Sequence, residues 1–151
     1  MYDVILFPTD GSEESFAALE HALDIADTYG ATLHVLYVVD TSYSYVGSDG
    51  IPIDWDAVLD AFRSAGKRAL ETAETWADRE GVPVVGSIRE DSIVHRAILQ
   101  YVGDNDVKMI VMGTHGRRGL DRLLLGSVTE RVLRTADVPV LTVRTAGANA
   151  G

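Results

Sequence analysis

Residues 109–130 read MIVMGTHGRRGLDRLLLGSVTE, and the change of character inside this stretch decides the fold. Met109-Ile110-Val111-Met112 is an apolar run without alternation, the pattern of a strand covered on both faces. Glycines at 113, 116 and 119 break it. Ser127 and Glu130 then form an S-x-x-E capping box, which predicts a helix from Ser127 to about Ala136. A buried strand, a glycine-rich turn and a helix in succession are the repeating parts of a parallel sheet.

The same alternation extends in both directions. Val4-Ile5-Leu6-Phe7 is a short buried strand, and Pro8-Thr9-Asp10-Gly11-Ser12 reads as a turn. Ser12 is placed to cap a helix that carries Phe16, Leu19, Leu23 and Ala26 on one face and stops at Gly30. Leu33 to Val39 is the second strand. Residues 40–53 show no period and form the longest loop. A helix with Trp55, Leu59, Phe62, Ala69, Ala73 and Trp76 on one face runs to Gly81. Val84 to Arg89 is the third strand, and Asp91 or Ser92 caps a helix that Gly103 ends. Val138 to Val143 is the last strand. The expected architecture is α/β: an open, mostly parallel sheet with helices on both faces. Residues 1–145 form one domain in this reading, and 146–151 a disordered tail.

Composition excludes several functions. There is no cysteine, so disulfides and thiolate metal sites are ruled out. Acids outnumber bases 23 to 13, a net charge of −10. That field repels nucleic-acid phosphates and anionic lipid, so neither partner is expected. No apolar run approaches the ~18 residues of a membrane span, and no leader pattern opens the chain, which points to the cytoplasm. Fifteen of the acids are aspartate and only Lys67 and Lys108 are lysine, a balance that also suits a surface kept hydrated in high salt.

Ligands of open α/β sheets bind beyond the carboxyl ends of the strands, where strand order reverses. Two segments sit at such ends, Pro8-Thr9-Asp10 and the glycine-rich loop from Gly113 to Ser127. Phosphate binding needs exposed N–H groups, glycines for close approach and a helix N-terminus. Gly113, Gly116 and Gly126 supply approach, Ser127, Val128 and Thr129 supply N–H groups, and Arg117 and Arg118 supply charge. The loop is neither a lysine-bearing P-loop nor a G-x-G-x-x-G fingerprint. By pattern alone, two readings stay open: a phosphate cradle, or a turn whose glycines merely meet left-handed dihedrals.

Gly113-x-x-Gly116, nine residues, then Gly126-Ser127 matches the G-x2-G-x9-G-[ST] signature of the universal stress protein family. The chain resembles that family from residue 2 to 144, through Pro8 to Ser12, Ile110 to Gly116, Leu124 to Glu130 and Val138 to Leu141. The resemblance implies a five-stranded parallel sheet of order 3-2-1-4-5, adenine-nucleotide alpha hydrolase-like, and a homodimer through Val138–Val143. It implies ATP, arriving with Mg²⁺, as the ligand. Asp10 would contact ribose or a phosphate-bound metal, and the Val38 backbone the adenine edge. Pro8 and Met112 lie in the two strand exits; Gly113, His115, Gly116 and Arg117 would lie against ribose and phosphates. Gly126, Ser127, Val128 and Thr129 would hold the phosphate tail.

Bland readings stand beside these. Asp10 could serve only the turn. Tyr43 and Tyr45 could close over a base or simply face solvent or a second subunit. His21, His34 and His95 read as structural, and no residue group has metal-ligand spacing. No nucleophile–base pair or carboxylate dyad is visible, so no catalytic residue is assigned. The expected function is nucleotide binding in stress signalling, with at most slow ATPase or autophosphorylation at Ser127 or Thr129. The alternatives are a nucleotidyl- or phosphoryl-transferase, a phospho-aspartate receiver and a ligand-free dimeric scaffold.

Overall fold

The computed structural model describes residues 1–45, 52–115 and 125–144. Five strands, β1 (Val4–Thr9), β2 (Thr32–Asp40), β3 (Val84–Asp91), β4 (Met109–Gly113) and β5 (Val140–Val143), form one parallel sheet of order β3-β2-β1-β4-β5. Helices α1 (Glu13–Tyr29), α2 (Trp55–Glu80), α3 (Val94–Asp104) and α4 (Ser127–Thr135) cross between them. Strand order reverses between β1 and β4, the expected switch point.

Both faces of the central strands are buried, which is why those strands lack apolar–polar alternation. Ile5, Phe7, Leu33, Val35 and Val111 pack with Leu19, Ala22, Ala73 and Ala77 of α1 and α2. Leu6, Leu36, Ile110 and Met112 pack on the other face with Ile98, Tyr101 and Val132 of α3 and α4. Each fully buried Leu or Ile of this kind contributes about 1.5–3 kcal/mol. Trp76 belongs to the first core and stacks near Phe16, so it is a packing residue as expected.

Local signals place the first two helices correctly. Ser12 accepts the Ser15 N–H at the start of α1, and Asp54 accepts the Ala57 N–H at the start of α2. Gly30 and Gly81 close them in the left-handed region at φ 64° and 70°. The other two helices depart from expectation. Neither Asp91 nor Ser92 caps α3: β3 continues to Asp91, in register with Asp40, and Ile93 is the cap residue without a side-chain bond. The Asp91 carboxylate instead accepts the Ile93 N–H and pairs with Arg96. Gly103 lies within α3, which ends at Asn105, where the Asn105 N–H and Nδ2 both donate to the Tyr101 carbonyl.

The predicted capping box of α4 is not formed. Gly126 is the cap residue, Glu130 N–H donates to the Gly126 carbonyl at 2.9 Å, and Ser127 is already helical. Pro8 and Thr9 belong to β1 rather than to the turn, and β5 begins at Val140, after Pro139. The tail 146–151 lies outside the described residues.

Candidate functional site

At the switch point, Pro8 ends the hydrogen-bonded pairing of β1 with β4. Thr32 N–H donates to Asp3 O at 3.0 Å, Leu33 N–H to Pro83 O at 2.9 Å and Lys108 N–H to Val4 O at 2.9 Å. Rungs of a parallel ladder alternate between neighbours, so even-numbered residues of β1 face β4 and even-numbered residues of β2 face β1. Pro8 therefore faces β4 with no N–H to donate. Pairing of β1 with β4 covers Ile5–Met109 and Leu6–Ile110 and ends before Pro8.

A second end of pairing lies on the β2 side. The ladder with β1 stops at Thr9–Tyr37, while β2 continues against β3 to Asp40. Val38 faces the vacated side. The next rung would bring the Gly11 N–H to the Val38 carbonyl, but Gly11 turns away at φ 82° and donates to Thr9 Oγ1 at 3.0 Å. Thr9 Oγ1 is hydrogen-bonded in turn to Ser15 Oγ, and both side chains are buried. Asp10 is half-buried, and its Oδ1 accepts the Ser12 N–H at 2.9 Å.

Gly113 ends β4 against the first turn of α1. A Cβ there would lie 3.4 Å from the Glu14 carbonyl and 3.7 Å from Ser15 Cα. The absent side chain thus brings the two strand exits together. Two long-range bonds then pull the start of α4 across the end of β4. Thr129 Oγ1 donates to Gly113 O at 2.9 Å, and Gly126 N–H donates to Thr114 O at 2.8 Å. Thr114 N–H is fixed to Val143 O at 3.1 Å, and its hydroxyl meets His115 Nδ1 at 3.1 Å.

Among the described residues, no side chain caps the α4 N-terminus. Its first N–H groups, from Ser127, Val128 and Thr129, are the orphan donors of a helix start, with the positive end of the dipole behind them. Gly126 has φ −60°, open to any residue, so the backbone does not demand glycine there.

The structure therefore gathers Pro8, Asp10, Gly113, His115, Gly126, Ser127, Val128 and Thr129 at one end of the sheet, with the Val38 backbone bordering the gap. Met112 and Val128 pack into the α3–α4 core. The Thr129 hydroxyl is buried and committed to Gly113, whereas Ser127 is exposed. Gly116 and Arg117 lie outside the described residues. Tyr43 packs on Phe62 of α2, ring centroids 5.9 Å apart, which anchors it to a helix. His34 Nδ1 meets Tyr101 Oη at 2.7 Å, a structural contact, and burial holds its pKa below the usual histidine range. Among the described residues no group of His, Asp and Glu is arranged to hold a metal by itself. Thr9 and Ser15 escaped the sequence reading, and only the position of Thr9 beside Asp10 hinted at them.

The family model of the universal stress proteins matches residues 1–144. This chain belongs to the universal stress protein family. It is 36% identical over 146 residues to universal stress protein MJ0531 of Methanocaldococcus jannaschii, covering 95% of this chain and 83% of that protein. Among solved structures, the universal stress protein UspA of Lactobacillus plantarum superimposes with a TM-score of 0.83 at 28% identity, over 95% of this chain and 98% of that one. A universal stress protein of Arabidopsis thaliana, solved with AMP bound, shares the fold with a TM-score of 0.69 at 18% identity, over 97% and 94% of the two chains. No helix among the described residues is long and apolar enough to cross a membrane.

Proposed function

We propose that this universal stress protein binds ATP, with Mg²⁺, across the gap between the β1 and β4 exits. The observation that carries the reading is the α4 N-terminus. No side chain among the described residues caps it, it opens on a glycine that its own backbone conformation does not require, and two long-range bonds hold it over the switch point. Such an end attracts a phosphate tail through its N–H groups and dipole. The Val38 carbonyl, released from its ladder partner, suits the amine edge of adenine. That a distant relative of the same fold carries AMP agrees with this choice of base.

The donor set fits magnesium only in company with phosphates. Asp10 offers a carboxylate at the strand exit, and hard oxygen ligands suit the ion. Bound there, the metal would neutralise phosphate charge, and Asp10 would orient it. The reading is one of nucleotide binding and signalling with at most slow turnover. Of the two hydroxyls considered for autophosphorylation, only Ser127 is reachable, because Thr129 is buried.

We further propose a homodimer through β5. It is an edge strand of the sheet, and Leu141 on it is exposed. An open apolar edge invites pairing with a second copy. Mass spectrometry of nucleotide retained through purification, followed by calorimetric titration with ATP-Mg²⁺, tests the principal reading. Saturable one-to-one binding per subunit is expected, and the absence of heat with any adenine nucleotide would reject it. Light scattering at micromolar concentration tests the second, and a monomer would reject it.

A further inference from the structure

We propose that the Thr9 hydroxyl, braced by Ser15, keeps the Val38 carbonyl open to an incoming amine and thereby sets a preference for adenine over 6-oxo purines. This deepens the nucleotide reading above and rests on it. Neither residue offers itself to the ligand, so both are positioning residues.

The β1–β2 ladder stops one rung short of Val38. Even-numbered residues of β2 turn their polar groups toward β1, as Thr32 N–H does to Asp3 O. The donor in register for the Val38 carbonyl is the Gly11 N–H, because Thr9 is the last β1 residue in the ladder and lies opposite Tyr37. Thr9 Oγ1 captures that N–H at 3.0 Å. With its donor withdrawn, the carbonyl presents an acceptor to the gap. The adenine amine can donate to it; the 6-oxo group of hypoxanthine or guanine is an acceptor and would leave two acceptors facing each other. An unmet buried acceptor costs more than a made bond gains.

Ser15 makes the capture durable. Its hydroxyl is bonded to Thr9 Oγ1, and both side chains are buried, at 5% and 7% exposure. Ser15 is fixed from two other sides: its N–H donates to Ser12 Oγ at 3.2 Å, and Gly113 lies against its Cα. The hydroxyl of Thr9 is thus held to a helix that also bears on the phosphate-side strand exit.

Calorimetric titration of the full chain with ATP-Mg²⁺ and with ITP-Mg²⁺ tests this, because ITP replaces the amine by a carbonyl. In Thr9→Val, which keeps shape and loses the hydroxyl, the ATP-to-ITP affinity ratio should fall on the order of tenfold, the worth of one hydrogen bond. Thr9→Ser should restore the ratio, and Ser15→Ala should lower it by about twofold to threefold. Equal weakening of both nucleotides in Thr9→Val, or no rescue by serine, overturns the proposal. Should Thr9→Val fail to fold, an unchanged ratio in Ser15→Ala overturns it. In nucleotide-free protein, the Gly11 amide and Val38 carbonyl resonances should shift together in Thr9→Val and stay in place in Thr9→Ser; unmoved resonances also overturn it. A wild-type chain that takes up neither nucleotide rejects the nucleotide reading instead, so the two failures are distinct.

Discussion

The two helical layers of this sheet are finished in different ways. On one face, α1 and α2 begin with side-chain caps from Ser12 and Asp54 and end on left-handed Gly30 and Gly81. On the other, α3 and α4 begin at Ile93 and Gly126 with no side-chain cap among the described residues, and neither ends on a left-handed glycine. The first layer closes its own helix ends with local chemistry. The second leaves an N-terminus open at the switch point. Under the proposed function, a bound phosphate would supply the acceptor at the α4 start.

That contrast is open to attack. The largest effect is expected from giving α4 the cap it lacks. Gly126→Asp would put a carboxylate on the orphan N–H groups, stabilise the helix by about 0.5–1 kcal/mol, and lower ATP affinity on the order of a hundredfold through lost and repelled phosphate contacts. Gly126→Leu should weaken binding too, with no gain in stability. Thermal unfolding and calorimetry together read both changes, and an Asp variant that binds ATP as tightly as the wild type removes the α4 terminus from the site.

A smaller effect is expected in the other layer. Ser12→Ala removes a true cap and should cost about 1 kcal/mol of stability. A loss below a few tenths in denaturant titration would mean that the capped layer does not depend on its caps.

The smallest effect concerns His34, which ties β2 to α3 through Tyr101. Burial lowers its pKa in the folded state. The unfolded chain therefore takes up the proton first as pH falls through the ordinary value of about 6.5, and stability should decline as pH falls from there toward the lowered value of the folded state. His34→Asn should show a shallower decline in its urea midpoint over that range. Parallel slopes for variant and wild type would assign the pH dependence elsewhere.

The same contrast explains what could be read in advance. Strand–helix alternation was legible because buried strands and amphipathic helices have different periods. Ser12, Gly30 and Gly81 were legible because their partners lie within a few residues of them. At Ser127 the local motif misled: S-x-x-E is present, yet the bonds to Gly113 and Thr114 draw the chain into line so that Gly126 becomes the cap residue. Pro8 looked like a turn residue, because sequence does not say that its absent N–H faces a neighbour it no longer pairs with. Asp91 looked like a cap, because the length of β2, which holds β3 in register to that point, shows only in the pairing. Thr9, Ser15 and the Thr129 hydroxyl were invisible as a set, since their significance is who bonds to whom across distant segments.

The bond from Gly126 N–H to Thr114 O has an evolutionary consequence. It fixes both ends of the intervening segment independently of what lies between them. A residue inserted after Gly126 would turn the following N–H groups by about 100° around the helix axis. Descendants of this chain are therefore expected to keep the spacing from Gly126 to Thr129.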